Sequence, residues 1–135
     1  MDYQFTVVEA PTYVHVIGAG ALTAENMRRF LIDAHRSAVE RHCDSLLLEP
    51  NFSGPSLNFG SIYSIICERS PDGSRYKRIA YVETDQERHQ EQAEFAEMAA
   101  NKLGVNVRLF RSLTEAKRWL ESCAVTTQAA VAPSS

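Results

Sequence analysis

Apolar residues recur with two different periods along this chain, and each period predicts one kind of secondary structure. Two β-branched and aromatic runs, at residues 5–10 and 13–20, are separated by Ala-Pro-Thr, which predicts an antiparallel hairpin. The apolar residues that follow at helical spacing are Met27, Phe30, Leu31, Ala34 and Ala38. Their period predicts an amphipathic helix with its N-cap at Thr23 and its end near Arg41.

The remainder of the chain alternates strands with helices. Further strands are predicted at residues 45–50, 78–84 and 105–110, and a turn is predicted at residues 70–74. A capping box at Thr84 predicts a helix that ends at Leu103. A second capping box at Ser112 predicts a final helix to about Glu121. The order ββαβαβαβα predicts an α/β fold, with a mostly parallel five-stranded sheet, four helices and the first strand antiparallel in the N-terminal hairpin.

Length and composition narrow the class of protein. The 135 residues suffice for one domain, predicted at residues 1–122, and residues 123–135 predict a flexible C-terminal tail. The formal net charge of -3 and the lack of a basic block argue against nucleic-acid binding. The three cysteines are widely spaced, so neither disulfides nor a metal site are predicted and a cytoplasmic location is expected. No apolar run approaches the roughly 18 residues of a membrane span, so no transmembrane segment is predicted.

The segment at residues 50–66 carries more apolar surface than one helix face can bury. Its apolar stripe consists of Phe59, Ile62, Tyr63 and Ile66, and Leu57 and Ile65 lie off that stripe. Such a helix must bury a second face against another helix, a ligand or another subunit. The preceding loop contains Ser53, Gly54 and Ser56, where free N–H groups favour a phosphate or lipid headgroup, or where a serine simply caps the helix.

The order of elements and three segments, at residues 16–26, 78–82 and 107–120, resemble the STAS superfamily. The closest similarity is to its SpoIIAA-like branch, whose fold is often grouped with the SEC14 or CRAL-TRIO domains, and it covers residues 5–121. The resemblance implies a non-enzymatic regulatory or signalling module. Its second helix and the preceding loop would face a protein partner, including a second copy in a homodimer, or an apolar ligand such as a lipid.

Anti-sigma factor antagonists of this family carry a D-S-x-G motif whose serine is phosphorylated to break partner binding. When Gly60 is aligned with the glycine of that motif, Leu57, Asn58 and Phe59 fall at the other three positions. The chain therefore departs from the family at its phosphorylation site. The nearby candidates for phosphorylation or anion binding are Ser53 and Ser56.

One glycine pattern bears on cofactor binding. Gly18-Ala19-Gly20 resembles a dinucleotide-binding turn, but Thr23 occupies the third glycine position. These glycines therefore indicate a tight strand exit, and no cofactor is predicted.

Nucleophilic catalysis has weaker support in the sequence. Ser53 with His15 or His89 would supply a nucleophile and a base, but the chain lacks a G-x-S-x-G elbow. Glu49 ends a buried strand, where its carboxylate is either perturbed by burial or caps the next loop. No catalytic residue is predicted.

Three functions remain open: an interaction module as the leading hypothesis, a small carrier of an apolar ligand, and a hydrolase-type enzyme. The first predicts that replacing Ile62 or Ile65 with Asp abolishes association without unfolding the chain. The second predicts a groove between the 59–66 helix and the helix that carries Met98. The residues predicted to bind the partner or ligand are Ser53, Gly54, Ser56, Leu57, Phe59, Ile62, Tyr63, Ile65, Ile66 and Met98.

Overall fold

The computed structural model describes residues 3–131, and it describes only the backbone of Gln86, Arg88 and residues 123–131. The strands are β1 (Gln4–Glu9), β2 (Val14–Ala21), β3 (Ser45–Ser53), β4 (Arg78–Val82) and β5 (Val107–Phe110). The helices are α1 (Ala24–Glu40), α2 (Phe59–Gly73), α3 (Gln86–Lys102) and α4 (Leu113–Val131). The predicted order ββαβαβαβα is confirmed.

The five strands form one sheet in the order β1-β2-β3-β4-β5. β1 pairs with β2 antiparallel, and the other three pairs are parallel, as predicted. Since each parallel strand lies beside its predecessor, the crossover helices α1, α2 and α3 share one face of the sheet. Ala116 and Leu120 of α4 pack on the opposite face. Over the described residues, no helix combines the length and apolarity needed to cross a membrane.

The first helix forms as its sequence pattern predicts. The hydroxyl of Thr23 accepts a hydrogen bond from the N–H of Asn26 at 3.0 Å, which satisfies one of the free donors at the helix start. Phe30, Ala34 and Ala38 are buried against the sheet. This packing fixes α1 as one wall of the helical layer.

Gly18 lies inside β2, so the predicted strand exit at this position is wrong. The strand continues because its last residue, Ala21, still pairs with Ser53 of β3. A Cβ atom on Gly18 would lie 2.6 Å from Cδ1 of Phe30 and 2.9 Å from Cζ of Phe52. The missing side chain therefore allows these two rings to meet edge to face, with centroids 5.7 Å apart.

The predicted turn at residues 70–74 is also wrong, because α2 continues to Gly73 and contains Pro71. Proline has no N–H to donate to the carbonyl four residues earlier, which belongs to Cys67. The hydroxyl of Ser70 donates to that carbonyl at 3.3 Å. The substitute hydrogen bond lets the helix tolerate a proline in its last turn.

The last two helices differ from their predicted boundaries. α3 has Asp85 rather than Thr84 at its N-cap position, and the N–H of Asp85 donates to Oε2 of Glu83 at 3.1 Å. α4 extends past its predicted end to Val131, because the alanines in this stretch favour helix. Of the predicted flexible tail, residues 132–135 lie outside the described residues.

Candidate functional site

Helix α2 lies closer to its two neighbouring helices than to the sheet. Within the described chain, its Cα atoms come within 8 Å of Cα atoms in α1 and α3 but of none in any strand. A cavity of about 180 Å³ occupies the space beneath the helix, with the sheet as its floor and α1 and α3 as its walls.

The cavity exists because small residues face it from α3. Ala93, Ala96 and Ala100 lie at helical spacing and all line the cavity. The methyl side chain of alanine is too short to fill the gap between two helices and a sheet, so the space beneath α2 stays open. Larger apolar side chains complete the lining from α1, α2 and β3, among them Leu31, Leu48, Ile62, Ile65 and Ile66.

The inner face of α2 is rotated relative to the predicted stripe. Ile65, predicted to lie off the stripe, is 2% exposed and lines the cavity together with Ile62 and Ile66. Phe59 and Tyr63 are 44% and 50% exposed and lie outside the cavity. The prediction failed because it assumed packing on the sheet, whereas α2 packs between two helices.

One end of the cavity, near the carboxyl ends of the strands, contains a serine and a histidine in contact. The Oγ of Ser56 lies 2.5 Å from Nδ1 of His89, which is buried. Glu83, which directly follows β4, also lines this end. Burial raises the pKa of Glu83 above its ordinary value, while the N–H of Asp85 and the nearby His89 partly offset that effect.

The structure pairs different residues from those that the sequence suggested as nucleophile and base. The serine beside His89 is Ser56, whereas the hydroxyl of Ser53 donates to the carbonyl of Gly20 at 3.4 Å. His15 lies on the other side of the sheet, with Nε2 2.7 Å from Oε1 of Glu49. Ser53 is the last residue of β3, whereas Ser56 lies in the loop that follows it. The sequence carries no signal that tells which of the two serines meets His89.

The opposite end of the cavity, near the amino ends of the strands, is polar as well. Nη1 of Arg69 lies 3.3 Å from Oδ2 of Asp72, and Oδ1 of Asp72 lies 3.7 Å from Nε2 of His35. Nδ1 of His35 is 2.6 Å from the hydroxyl of Tyr76. Burial raises the pKa of Tyr76 to about 12, so its hydroxyl stays protonated at neutral pH.

The remaining predicted binding residues are divided between the cavity and the surface. Ser56, Leu57, Ile62, Ile65 and Ile66 line the cavity. Ser53, Gly54, Phe59, Tyr63 and Met98 do not, and Met98 is 46% exposed on α3. The space that the structure shows therefore lies on the sheet side of α2 and not next to Met98. The described residues contain no cluster of three His, Cys, Asp or Glu side chains suited to a metal ion.

Comparison of the chain with models of known families, with curated proteins and with solved structures finds no match.

Replacing Glu83 with Gln should raise the free energy of unfolding at about pH 7.5 and change it little at about pH 4. A carboxyl group whose pKa is raised by folding is favoured in its protonated form, so its contribution to stability falls as the pH rises from the unfolded to the folded pKa. Gln retains an oxygen that accepts from Asp85 and cannot ionise. Urea unfolding at both pH values measures the effect.

Glu87→Gln is the matched control, because Glu87 is an exposed carboxylate in the first turn of α3. It should not produce the same pH-dependent gain. The free energy of unfolding of the Glu83→Gln protein minus that of wild type should be larger at about pH 7.5 than at about pH 4. The opposite order would contradict burial as the main cause of the raised pKa of Glu83.

Proposed function

We propose that this protein binds a small, mainly apolar molecule in the cavity between α2 and the sheet, as a carrier or a sensor. The observation that supports the proposal best is the separation of α2 from every strand, with aliphatic side chains and alanines around the resulting space. The free cysteines Cys43 and Cys67 support a reducing, cytoplasmic place of action.

Energetics favour an occupant. An engineered apolar cavity of about 150 Å³ stays dry and binds benzene, so the volume of about 180 Å³ suits a molecule of similar or slightly larger size. The lining is mainly apolar, so water in the cavity finds few hydrogen-bond partners there. A bound apolar molecule would instead gain dispersion contacts with the lining.

The position of α2 also suits ligand entry. The helix rests on two other helices and is joined to the sheet by the segments at residues 54–58 and 74–77. Movement of α2 would break no strand pairing, because the ladder of parallel strands runs beneath it. Opening therefore costs less than it would for an element packed on the sheet.

Filling the cavity should abolish binding and leave the fold intact. Ala96 lines the cavity and is only partly buried, so Ala96→Leu should occupy part of its volume with little strain. We expect the affinity for ethylbenzene, a neutral molecule slightly larger than benzene, to fall by at least about tenfold in isothermal titration calorimetry, which corresponds to about 1.4 kcal/mol. The midpoint of thermal unfolding should stay unchanged or rise, since cavity filling commonly stabilises.

Met98→Leu serves as the control, because Met98 lies two residues further along α3 and on its exposed side. This variant should bind ethylbenzene as wild type does. Equal binding by wild type and the Ala96→Leu protein would contradict the proposal. Native mass spectrometry of wild-type protein from its own cells would identify a retained molecule by its mass.

A surface patch favours a second function, the docking of another copy of the chain. Phe59 and Tyr63 lie one turn apart on the outer side of α2, and the ring of Phe59 packs edge to face on Phe95 of α3 at 5.0 Å between centroids. Met98 follows Phe95 on α3 and is exposed. Exposed apolar side chains that adjoin across two helices are typical of association surfaces. The interaction hypothesis placed the docking surface at Ile62 and Ile65, which line the cavity. The exposed patch of Phe59, Tyr63 and Met98 is therefore the docking surface in this second proposal.

Tyr63→Asp should shift the chain from dimer to monomer in sedimentation velocity without changing its circular dichroism spectrum. Ser64→Asp adds the same charge at an exposed neighbouring position and should leave the dimer intact. Ile65→Asp should instead unfold the chain, because it would bury an unpaired charge. A wild-type chain that sediments as a monomer at every concentration up to that of the stock would refute the dimer.

A further inference from the structure

A hydroxyl and an imidazole face each other at the end of the cavity near the carboxyl ends of the strands. Oγ of Ser56 lies 2.5 Å from Nδ1 of His89, and both residues line the cavity. When the proton of the neutral imidazole is on Nε2, Nδ1 accepts a hydrogen bond from the serine hydroxyl. A base held against a hydroxyl in this way activates serine as a nucleophile.

The surroundings of this pair suit the charges that develop when serine attacks a carbonyl group. The N–H of His89 donates to the carbonyl of Asp85 at 3.0 Å and closes the first turn of α3. The positive end of that helix is therefore at this end of the cavity, where it favours negative charge on oxygen. Glu83 lines the same end, and its charge interacts with that of His89. A protonated imidazole would thus have a carboxylate nearby.

The cavity restricts the class of molecule that can reach the pair. Its apolar lining, which includes Leu48, Ile62 and Ala93, suits an uncharged body, and about 180 Å³ admits a ring the size of benzene with a short substituent. Glu83 and Glu97 also line the cavity and would repel an anion. Among neutral acyl compounds an ester is cleaved more readily than an amide, because an alcohol leaves more readily than an amine.

We propose that Ser56 and His89 cleave a small neutral ester in the cavity, with Ser56 as the nucleophile and His89 as the base. The proposal rests on the proposed function, since the ester would occupy the same cavity as the apolar ligand.

The reaction proceeds in two steps. Oγ of Ser56 forms a bond to the carbonyl carbon, and the hydroxyl proton passes to Nδ1 of His89. As the carbonyl re-forms, the bond from carbon to the alcohol oxygen breaks, and that oxygen takes the proton from Nδ1. Water then attacks the acyl-serine with His89 again as the base, which releases the carboxylic acid and restores the Ser56 hydroxyl.

Phenyl acetate tests the proposal on the full chain, because it is neutral and only slightly larger than ethylbenzene. Wild type should release phenol faster than buffer alone does. Mass spectrometry of protein quenched during the reaction should find one acetyl group, on the peptide that contains Ser56. Ethylbenzene should slow the release in proportion to its occupancy of the cavity, because both molecules need the same space.

Ser56→Ala and His89→Gln should each lower the rate of phenol release by at least about a hundredfold, the usual contribution of a nucleophile or a general base. Ser53→Ala is the matched control, because the hydroxyl of Ser53 donates to the carbonyl of Gly20 and does not line the cavity. It should keep the wild-type rate. Ethylbenzene binding to each variant shows that its fold and cavity are intact.

Glu83 acts on the reaction through His89, as a positioning residue. Glu83→Gln should therefore lower kcat and leave KM for phenyl acetate unchanged, since the carboxylate stabilises the imidazolium and not the bound ester.

The outcomes separate this inference from the proposed function. If wild type binds ethylbenzene but releases no phenol above the buffer rate, the inference is overturned and ligand binding stands. The same holds if Ser56→Ala keeps the wild-type rate, or if the acetyl group lies on another residue. These results decide the matter even where His89→Gln does not fold. If wild type binds no ethylbenzene, the proposed function is contradicted, and the inference falls with it.

Discussion

Helix α2 packs between α1 and α3 and lies further from the strands than from those helices, and the candidate site depends on that constraint. A crossover helix in a parallel sheet normally buries its apolar face directly on the strands. Here the floor is formed by strands that carry Leu48 and Ile79, and the walls by the inner faces of α1 and α3. Because α3 presents alanines, the floor and the two walls leave a gap, and the apolar face of α2 lines that space without filling it.

The two polar ends give this space a direction. At the carboxyl ends of the strands, Oγ of Ser56 lies against Nδ1 of His89, and Glu83 lines the same end. At the amino ends, Asp72 lies between Arg69 and His35, with its carboxylate oxygens 3.3 Å from Nη1 of Arg69 and 3.7 Å from Nε2 of His35. The apolar part of the lining therefore lies between two polar ends.

Most of the architecture could be predicted from the sequence, because the apolar periods and caps are local signals. Thr23 caps α1 through its own hydroxyl, and the hairpin, the parallel order and the positions of the helices follow from runs of residues close in sequence. The end of α2 was predicted wrongly, because it depends on a side-chain hydrogen bond that replaces a lost backbone one. Pro71 indicates a turn when the sequence is taken alone. The structure shows that the hydroxyl of Ser70 donates to the carbonyl that the proline leaves without a donor, so the helix continues.

The site was predicted only in outline. The surplus of apolar residues around Ile62 correctly indicated that α2 faces more than a sheet, yet the direction of its inner face depends on how α1 and α3 flank it, and that arrangement is not encoded locally. The pairing of Ser56 with His89 spans two elements far apart in sequence. The regulatory role and the STAS relationship implied by the resemblance stay predictions.

The most direct test of this account is xenon binding measured by NMR on protein with labelled isoleucine methyl groups. Xenon enters apolar cavities and shifts the methyl signals that surround it. The account predicts saturable shifts for Ile62, Ile65 and Ile66, which line the cavity, and none for Ile32, which is exposed on α1. Methyl signals of α2 that do not respond to xenon, or that respond no more than Ile32, would show that no space lies beneath the helix and would contradict the account.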